Sequence, residues 1–131
     1  MLRDAGKQDK AEIYELWKQS YPNQNRNYLN FYFKNIFDKG RCIALEQDQR
    51  IISSLQLNEH ILRLRDKQLK ISYILGVSTL PDYRRRGHMR RLMESALDEA
   101  GHNHLVTLIR GFYPKLYEQF GFETVYERKL Y

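Results

Sequence analysis

The chain has 131 residues, 42% hydrophobic and 29% charged, with three prolines and seven glycines; this suits one globular domain with a single core and excludes disordered and collagen-like classes. Twenty-two Lys and Arg against sixteen Asp and Glu give a formal charge of +6, so the expected ligand is anionic, either a nucleic acid or a polyphosphate. No apolar run reaches bilayer-spanning length and the start Met-Leu-Arg-Asp-Ala-Gly-Lys has no signal-peptide core, which predicts no membrane association and a cytoplasmic location.

Between residues 8 and 20, Ile13, Leu16 and Trp17 fall at i, i+3 and i+4 among polar residues, the stripe of an amphipathic helix that stops near Tyr21-Pro22. After a polar loop, Tyr28 to Phe37 reads as a second helix, aromatic around most of its circumference. Its rings serve either core packing or the wall of a substrate pocket. From Arg41 to Ser78 the pattern becomes β-branched and leucine-rich. Arg41 to Glu46, Arg50 to Leu64 and Gln68 to Val77 are predicted strands, with turns at Asp48-Gln49 and Arg65-Asp66-Lys67.

Pro81 closes the sheet run. Met89, Leu92, Met93, Ala96, Leu97 and Ala100 then make a 3.6-period stripe ending at Gly101, the strongest helix signal in the chain. Leu105 to Ile109 reads as a short strand, Tyr113 to Phe120 as a short helix stopped by Gly121, and Phe122 to Tyr131 as a last alternating strand. The order βααβββαβαβ is of the α/β class, a mixed sheet with helices on both faces, in a single domain spanning residues 1–131.

Charge is densest from Arg84 to Arg91, five arginines in eight residues. A strand running through Ile74-Leu75-Gly76-Val77-Ser78-Thr79 into a turn, with Arg84-Arg85-Arg86-Gly87 opening a long helix, gathers unpaired backbone N–H groups in one place. The helix dipole and the arginines add positive potential, and Gly87 admits a phosphate without a Cβ in the way, so the geometry suits a pyrophosphate. Neither a Walker loop nor a Gly-x-Gly-x-x-Gly fingerprint occurs, which argues against ATP and NAD.

At these residues the chain resembles the GNAT N-acetyltransferase superfamily, whose phosphate motif runs Gln/Arg-x-x-Gly-x-Gly/Ala; here it reads Arg84-x-x-Gly87-x-Met89. More narrowly, Gly76-Val77-Ser78-Thr79-x-Pro81-x-x-Arg84-Arg85-Arg86-Gly87-His88-Met89-Arg90, with Leu116-Tyr117-x-x-Phe120-Gly121-Phe122, is similar to the Eis-type branch. The resemblance implies an acyl-CoA N-acyltransferase fold, acetyl-CoA as co-substrate without a metal, and a small-molecule or peptidyl primary amine as acceptor. It implies that the strand Val77-Ser78-Thr79 pairs with the pantetheine arm through the Val77 and Thr79 backbones. Arg84, Arg85, Arg86, Gly87, His88, Met89 and Arg90 are implied to hold the phosphates, and Tyr117 to be the general acid. Eis-type relatives acetylate polycationic or amine-rich molecules and take their general base from the carboxylate at the end of the full-length chain. By the same comparison a final strand and further domains are missing here. The chain is therefore expected to be the N-terminal part of a longer protein and, with a sheet edge uncovered, to self-associate as a homo-oligomer.

The phenol chemistry agrees with the implied role: with an ordinary pKa of about 10, Tyr117 is protonated at neutral pH and can supply a proton to a departing thiolate. Two other readings remain. A nucleic-acid-binding module would use the same arginines, although they cluster at one helix start instead of tracking a stripe with interleaved aromatics; a catalytically silent CoA-binding domain would keep the phosphate site alone. Elsewhere, Cys42 in its apolar run reads as a core thiol in a reducing compartment and His60 as an ordinary strand residue. His102-x-His104, without a third ligand nearby, reads as a polar loop, Asp98-Glu99 face solvent, and the spacings support no serine triad.

Overall fold

The computed structural model describes residues 1–104, 106–110 and 114–122. Strand β1 (Leu2–Asp4), helices α1 (Lys10–Ser20) and α2 (Arg26–Asn35), strands β2 (Arg41–Gln47), β3 (Arg50–Leu64) and β4 (Lys67–Thr79), helix α3 (His88–Asn103), strand β5 (Thr107–Ile109) and helix α4 (Pro114–Glu118) occur in that order along the chain. This is the predicted order as far as α4; the strand expected after Phe122 lies outside the described residues, as do Leu105 and Tyr113.

Boundaries shift for local reasons. Helix α2 begins before Tyr28 because the Asn25 side chain caps it, accepting the Asn27 N–H at 2.7 Å. Helix α3 begins at His88, so Arg84, Arg85 and Arg86 stand in the loop before it and do not open the helix itself. Nor does α3 stop at Gly101; it ends where the His104 N–H reaches the Ala100 carbonyl at 2.8 Å.

The five strands lie in sequence order, antiparallel throughout except that β4 and β5 are parallel. Helices α1 and α2 cover one face, burying Ile13, Leu16, Trp17, Leu29, Tyr32 and Phe33 against Cys42, Ala44, Ile52 and Leu75. Helix α3 covers the other with Leu92, Met93, Ala96 and Ala100, packed with Ile43, Leu55, Ile74 and Val77, and Tyr117 of α4 joins that cluster. The second helix is thus largely core, with Tyr28 half-buried at its start and Phe31 exposed.

Strand β4 is broken by a bulge. Ser78 pairs with Ser54, but Leu75 pairs with Gln56, so Gly76 and Val77 together oppose Leu55. Unbroken period-2 alternation would place Val77 on the same face as Leu75. The extra residue turns Val77 over to join Ile74 beneath α3. Gly76 takes the turn at φ +63°, in the left-handed region, and its carbonyl accepts the Trp17 indole N–H at 2.7 Å. A Cβ at Gly76 would collide with the indole. Gly76→Ala is expected to destabilise the fold by about 3 kcal/mol, adding backbone strain to overpacking, and to lower Tm by roughly 10 °C. An unchanged melting curve would show that the bulge is not held by this contact.

Candidate active site

Strands β4 and β5 pair at Ser72–Ile74 with Thr107–Ile109, and the Arg110 N–H closes the ladder on the Ile74 carbonyl at 2.9 Å. Beyond that bond β4 continues through residues 75–79 with no strand partner on this edge among the described residues. Backbone direction in this stretch is set by its bonds to β3: the Leu80 N–H reaches Ile52 O at 2.8 Å, and Ser78 O accepts from Ser53 Oγ at 2.9 Å. The intervening backbones of Val77 and Thr79 therefore face away from β3, onto the open edge. Val77 O is held there by the Tyr21 hydroxyl and Thr79 O by Arg84 Nε at 3.0 Å.

From this edge the chain passes through a 3₁₀ turn at Pro81–Tyr83 into the arginine loop. Arg85 at φ +64° and Gly87 at φ +83° both adopt left-handed backbone, a conformation costing a non-glycine residue on the order of 1 kcal/mol. Gly87 offers no side-chain cap and open space where a Cβ would be, and Arg91 N–H is the helical donor that its carbonyl receives, at 3.1 Å. The first turn of α3 thus presents N–H groups to an exposed loop.

The predicted phosphate residues do not share one setting. Arg84, Arg85 and Arg86 are exposed, with Arg86 5.5 Å over the Tyr83 ring. His88 is half-buried; burial, then Arg91 and Arg86, lower its pKa, so its imidazole is neutral at neutral pH. Its buried Nδ1 has no partner among the described residues. Met89 packs on the α3-side core, leaving only its backbone to the loop. Arg90 reaches across to the turn that follows α4, donating to Gln119 Oε1 at 2.6 Å and lying 5.4 Å over Phe120.

Tyr117 is buried in the same cluster as Val77, and burial pushes its phenol up to about 12. The phenol therefore stays protonated across the working pH range. Cys42 is likewise buried, accepts from Gln56 Nε2 at 3.3 Å and is pushed up to about 12, which keeps it a thiol.

On the α1 side of the parted strands the structure adds a feature the sequence did not reveal. Trp17, Tyr21 and Tyr28 wall a narrow slot beside Gly76, with Gln24 and Arg110 at its rim. Arg110 donates to the Tyr28 hydroxyl at 3.1 Å and lies 5.0 Å over that ring. A charged residue directly after the apolar strand was the one available signal; Tyr21 and Gln24 sit in a loop without periodicity.

A larger cavity, about 580 Å³, lies elsewhere, lined by Ser72, His104, Glu59 and Asn103 among others. His104 bridges Ser72 Oγ at 2.7 Å and Glu59 at 3.0 Å, while His102 Nδ1–H bonds the Asp98 carbonyl at 2.6 Å, so the two imidazoles are engaged separately. This cavity is at the C-terminal end of α3, a helix of 16 residues and hence roughly 24 Å from the arginine loop; it belongs to a different part of the molecule.

The fold and this cleft define the class. Residues 1–125 match the acetyltransferase (GNAT) domain family, and the chain belongs to that family of acetyl-transferring enzymes. Among solved structures it is similar to a probable N-acyltransferase of unknown function from Enterococcus faecalis, at 17% identity and TM-score 0.80 over 92% of this chain. It spans 31% of that protein. The aminoglycoside N-acetyltransferase AAC(6')-Iy in complex with CoA matches at 16% identity and TM-score 0.75, over 100% of this chain and 92% of that one. A ribosomal-protein-alanine N-acetyltransferase from Brucella melitensis matches at 15% identity and TM-score 0.72, over 100% and 98%. No curated protein matches.

With its pKa raised by burial, Cys42 is expected to resist a thiol-specific reagent at about pH 8 in the native protein and to react fully once unfolded. Rapid native labelling would show that the thiol is accessible and not held in the core.

Proposed function

We propose that the domain transfers an acetyl group from acetyl-CoA to a primary amine by direct attack in a ternary complex. The observation that carries the reading is the parting of β4 from β5 beyond Ile74. It leaves the backbones of Val77 and Thr79 on an open edge that leads into an arginine-rich helix start.

The residues fit the cofactor. Val77 and Thr79 would pair with the pantetheine amides as a strand would, with Ser78 keeping that stretch on β3. The N–H groups of His88, Met89 and Arg90, with Gly87 leaving room, would take the pyrophosphate. Arg84, Arg85 and Arg86 supply charge around it. Arg90, bonded to Gln119 in the turn after α4, would couple this loop to the segment that carries Tyr117.

In the transfer the amine nitrogen attacks the thioester carbonyl carbon, the C–N bond forms and the C–S bond breaks. The nitrogen loses a proton and the departing sulfur gains one, giving an amide and free CoA thiol. Tyr117, whose phenol stays protonated, is proposed to supply the proton at sulfur. The Eis-type assignment is supported by the segments Gly76 to Arg90 and Leu116 to Phe122.

Replacing Arg85 and Arg86 together by Ala is expected to weaken acetyl-CoA binding by about tenfold or more at low salt and to flatten its salt dependence. Titration calorimetry at two ionic strengths checks this; unchanged affinity returns the arginines to a solvated loop. Tyr117→Phe keeps the ring and its packing, so acetyl-CoA affinity should hold while kcat falls about a hundredfold. Because the phenol does not ionise until about pH 12, that deficit should stay constant from about pH 6 to pH 10. Wild-type rates in Tyr117→Phe under single-turnover conditions would make the tyrosine structural. Binding of acetyl-CoA without amine-dependent thiol release would instead identify a silent CoA-binding domain.

A further inference from the structure

A strand edge with unengaged carbonyls invites pairing with any extended chain, and the edge of β4 beyond Ile74 carries two side-chain donors. The Tyr21 hydroxyl donates to Val77 O, and Arg84 Nε donates to Thr79 O at 3.0 Å. Val77 and Thr79 are the residues that would pair with the pantetheine amides, so a role for these two donors rests on the transferase reading.

Both donors are placed by the chain around them. Helix α1 ends where the Tyr21 N–H reaches Trp17 O at 2.9 Å, and residues four apart share one face of a helix. Trp17 and Tyr21 therefore reach consecutive carbonyls of β4, Gly76 O and Val77 O. The two contacts differ in kind. The Trp17 ring is buried and Gly76 O accepts a second bond, from Ser78 Oγ at 3.1 Å, so that carbonyl is enclosed within the bulge. Tyr21 is half-buried, and the carbonyl it holds lies on the open edge. Arg84 is exposed and reaches back to Thr79 from the residue that follows the 3₁₀ turn.

An amide N–H that pairs with β4 as a strand would must find an acceptor on this edge, and the carbonyls of Val77 and Thr79 each already accept from a side chain. We propose that Tyr21 and Arg84 are displaceable caps on the cofactor edge, each exchanged for a pantetheine N–H when acetyl-CoA binds. In the free domain the caps deny the edge to a second chain. For Arg84 the exchange releases a guanidinium beside the phosphates that the same ligand delivers to the arginine loop. For Tyr21 the contact acts against the ligand, because apparent affinity falls in proportion to the fraction of molecules whose edge is uncapped.

Equilibrium binding of two ligands tests the exchange: acetyl-CoA, and S-acetylpantetheine, which has the same amides and no phosphate. Tyr21→Phe keeps the ring and removes only the hydroxyl; it should bind both ligands about two- to tenfold more tightly than wild type. Arg84→Ala should bind S-acetylpantetheine about twofold more tightly or better, yet bind acetyl-CoA more weakly, since it uncaps Thr79 O and removes a charge near the phosphates. Opposite signs for the two ligands separate a cap from an arginine that only supports the loop, whose loss would move both ligands the same way. Arg84 is exposed, so this arm stands even if Tyr21→Phe does not fold. Weaker or unchanged binding of S-acetylpantetheine in either folded variant overturns the caps and leaves the transferase reading in place. Failure of the wild-type domain to bind either ligand overturns the cofactor reading and the caps with it.

Discussion

The contact between the Trp17 indole and Gly76 organises the rest of the molecule. An indole N–H buried in an apolar layer needs an acceptor, and the carbonyl of a left-handed glycine in a bulged strand provides it at 2.7 Å. Holding that carbonyl holds the bulge, and the bulge inverts the facing of β4 for its last residues. Val77 then packs beneath α3 while the Val77 and Thr79 backbones lie along the edge from which β5 has departed. A side chain of the first helix thereby shapes a cleft built largely from later elements.

Charge is arranged around that cleft on two sides. Arg84, Arg85 and Arg86 lie exposed at the start of α3, where helix N–H groups already favour an anion. Arg110 stands at the parting of β4 and β5, braced by Tyr28. Desolvation pushes the Tyr117 phenol up and the His88 imidazole down, in each case favouring the uncharged form. The arginine loop therefore sets exposed cations beside the helix N–H groups, a distribution suited to an anionic ligand.

The structural neighbours at 15–17% identity share this backbone with a different set of side chains. Strand order and helix placement arise from packing constraints that many sequences satisfy, whereas the side chains carried on such a fold are free to differ. The aminoglycoside named for one of those neighbours therefore says nothing by itself about the acceptor of this chain.

Periodicity alone determined the order of elements as far as α4, because the stripes of α1 and α3 and the leucine-rich strands are local patterns each sufficient to bury one face. The arginine run also declared itself, since five cations in eight residues next to a strand-to-helix turn are visible without coordinates. What escaped was every feature that depends on two distant segments meeting. The bulge needs Trp17 against Gly76, 59 residues apart. The slot joins Tyr28 to Arg110, 82 residues apart, and the Ser72–His104–Glu59 chain links three elements. The upward shift of the Tyr117 phenol and the downward shift of the His88 imidazole likewise come from what covers them. Propensity and spacing act along the chain, while register, desolvation and the convergence of polar groups arise when the sheet's two faces are closed by helices, so those properties were decided by the tertiary structure.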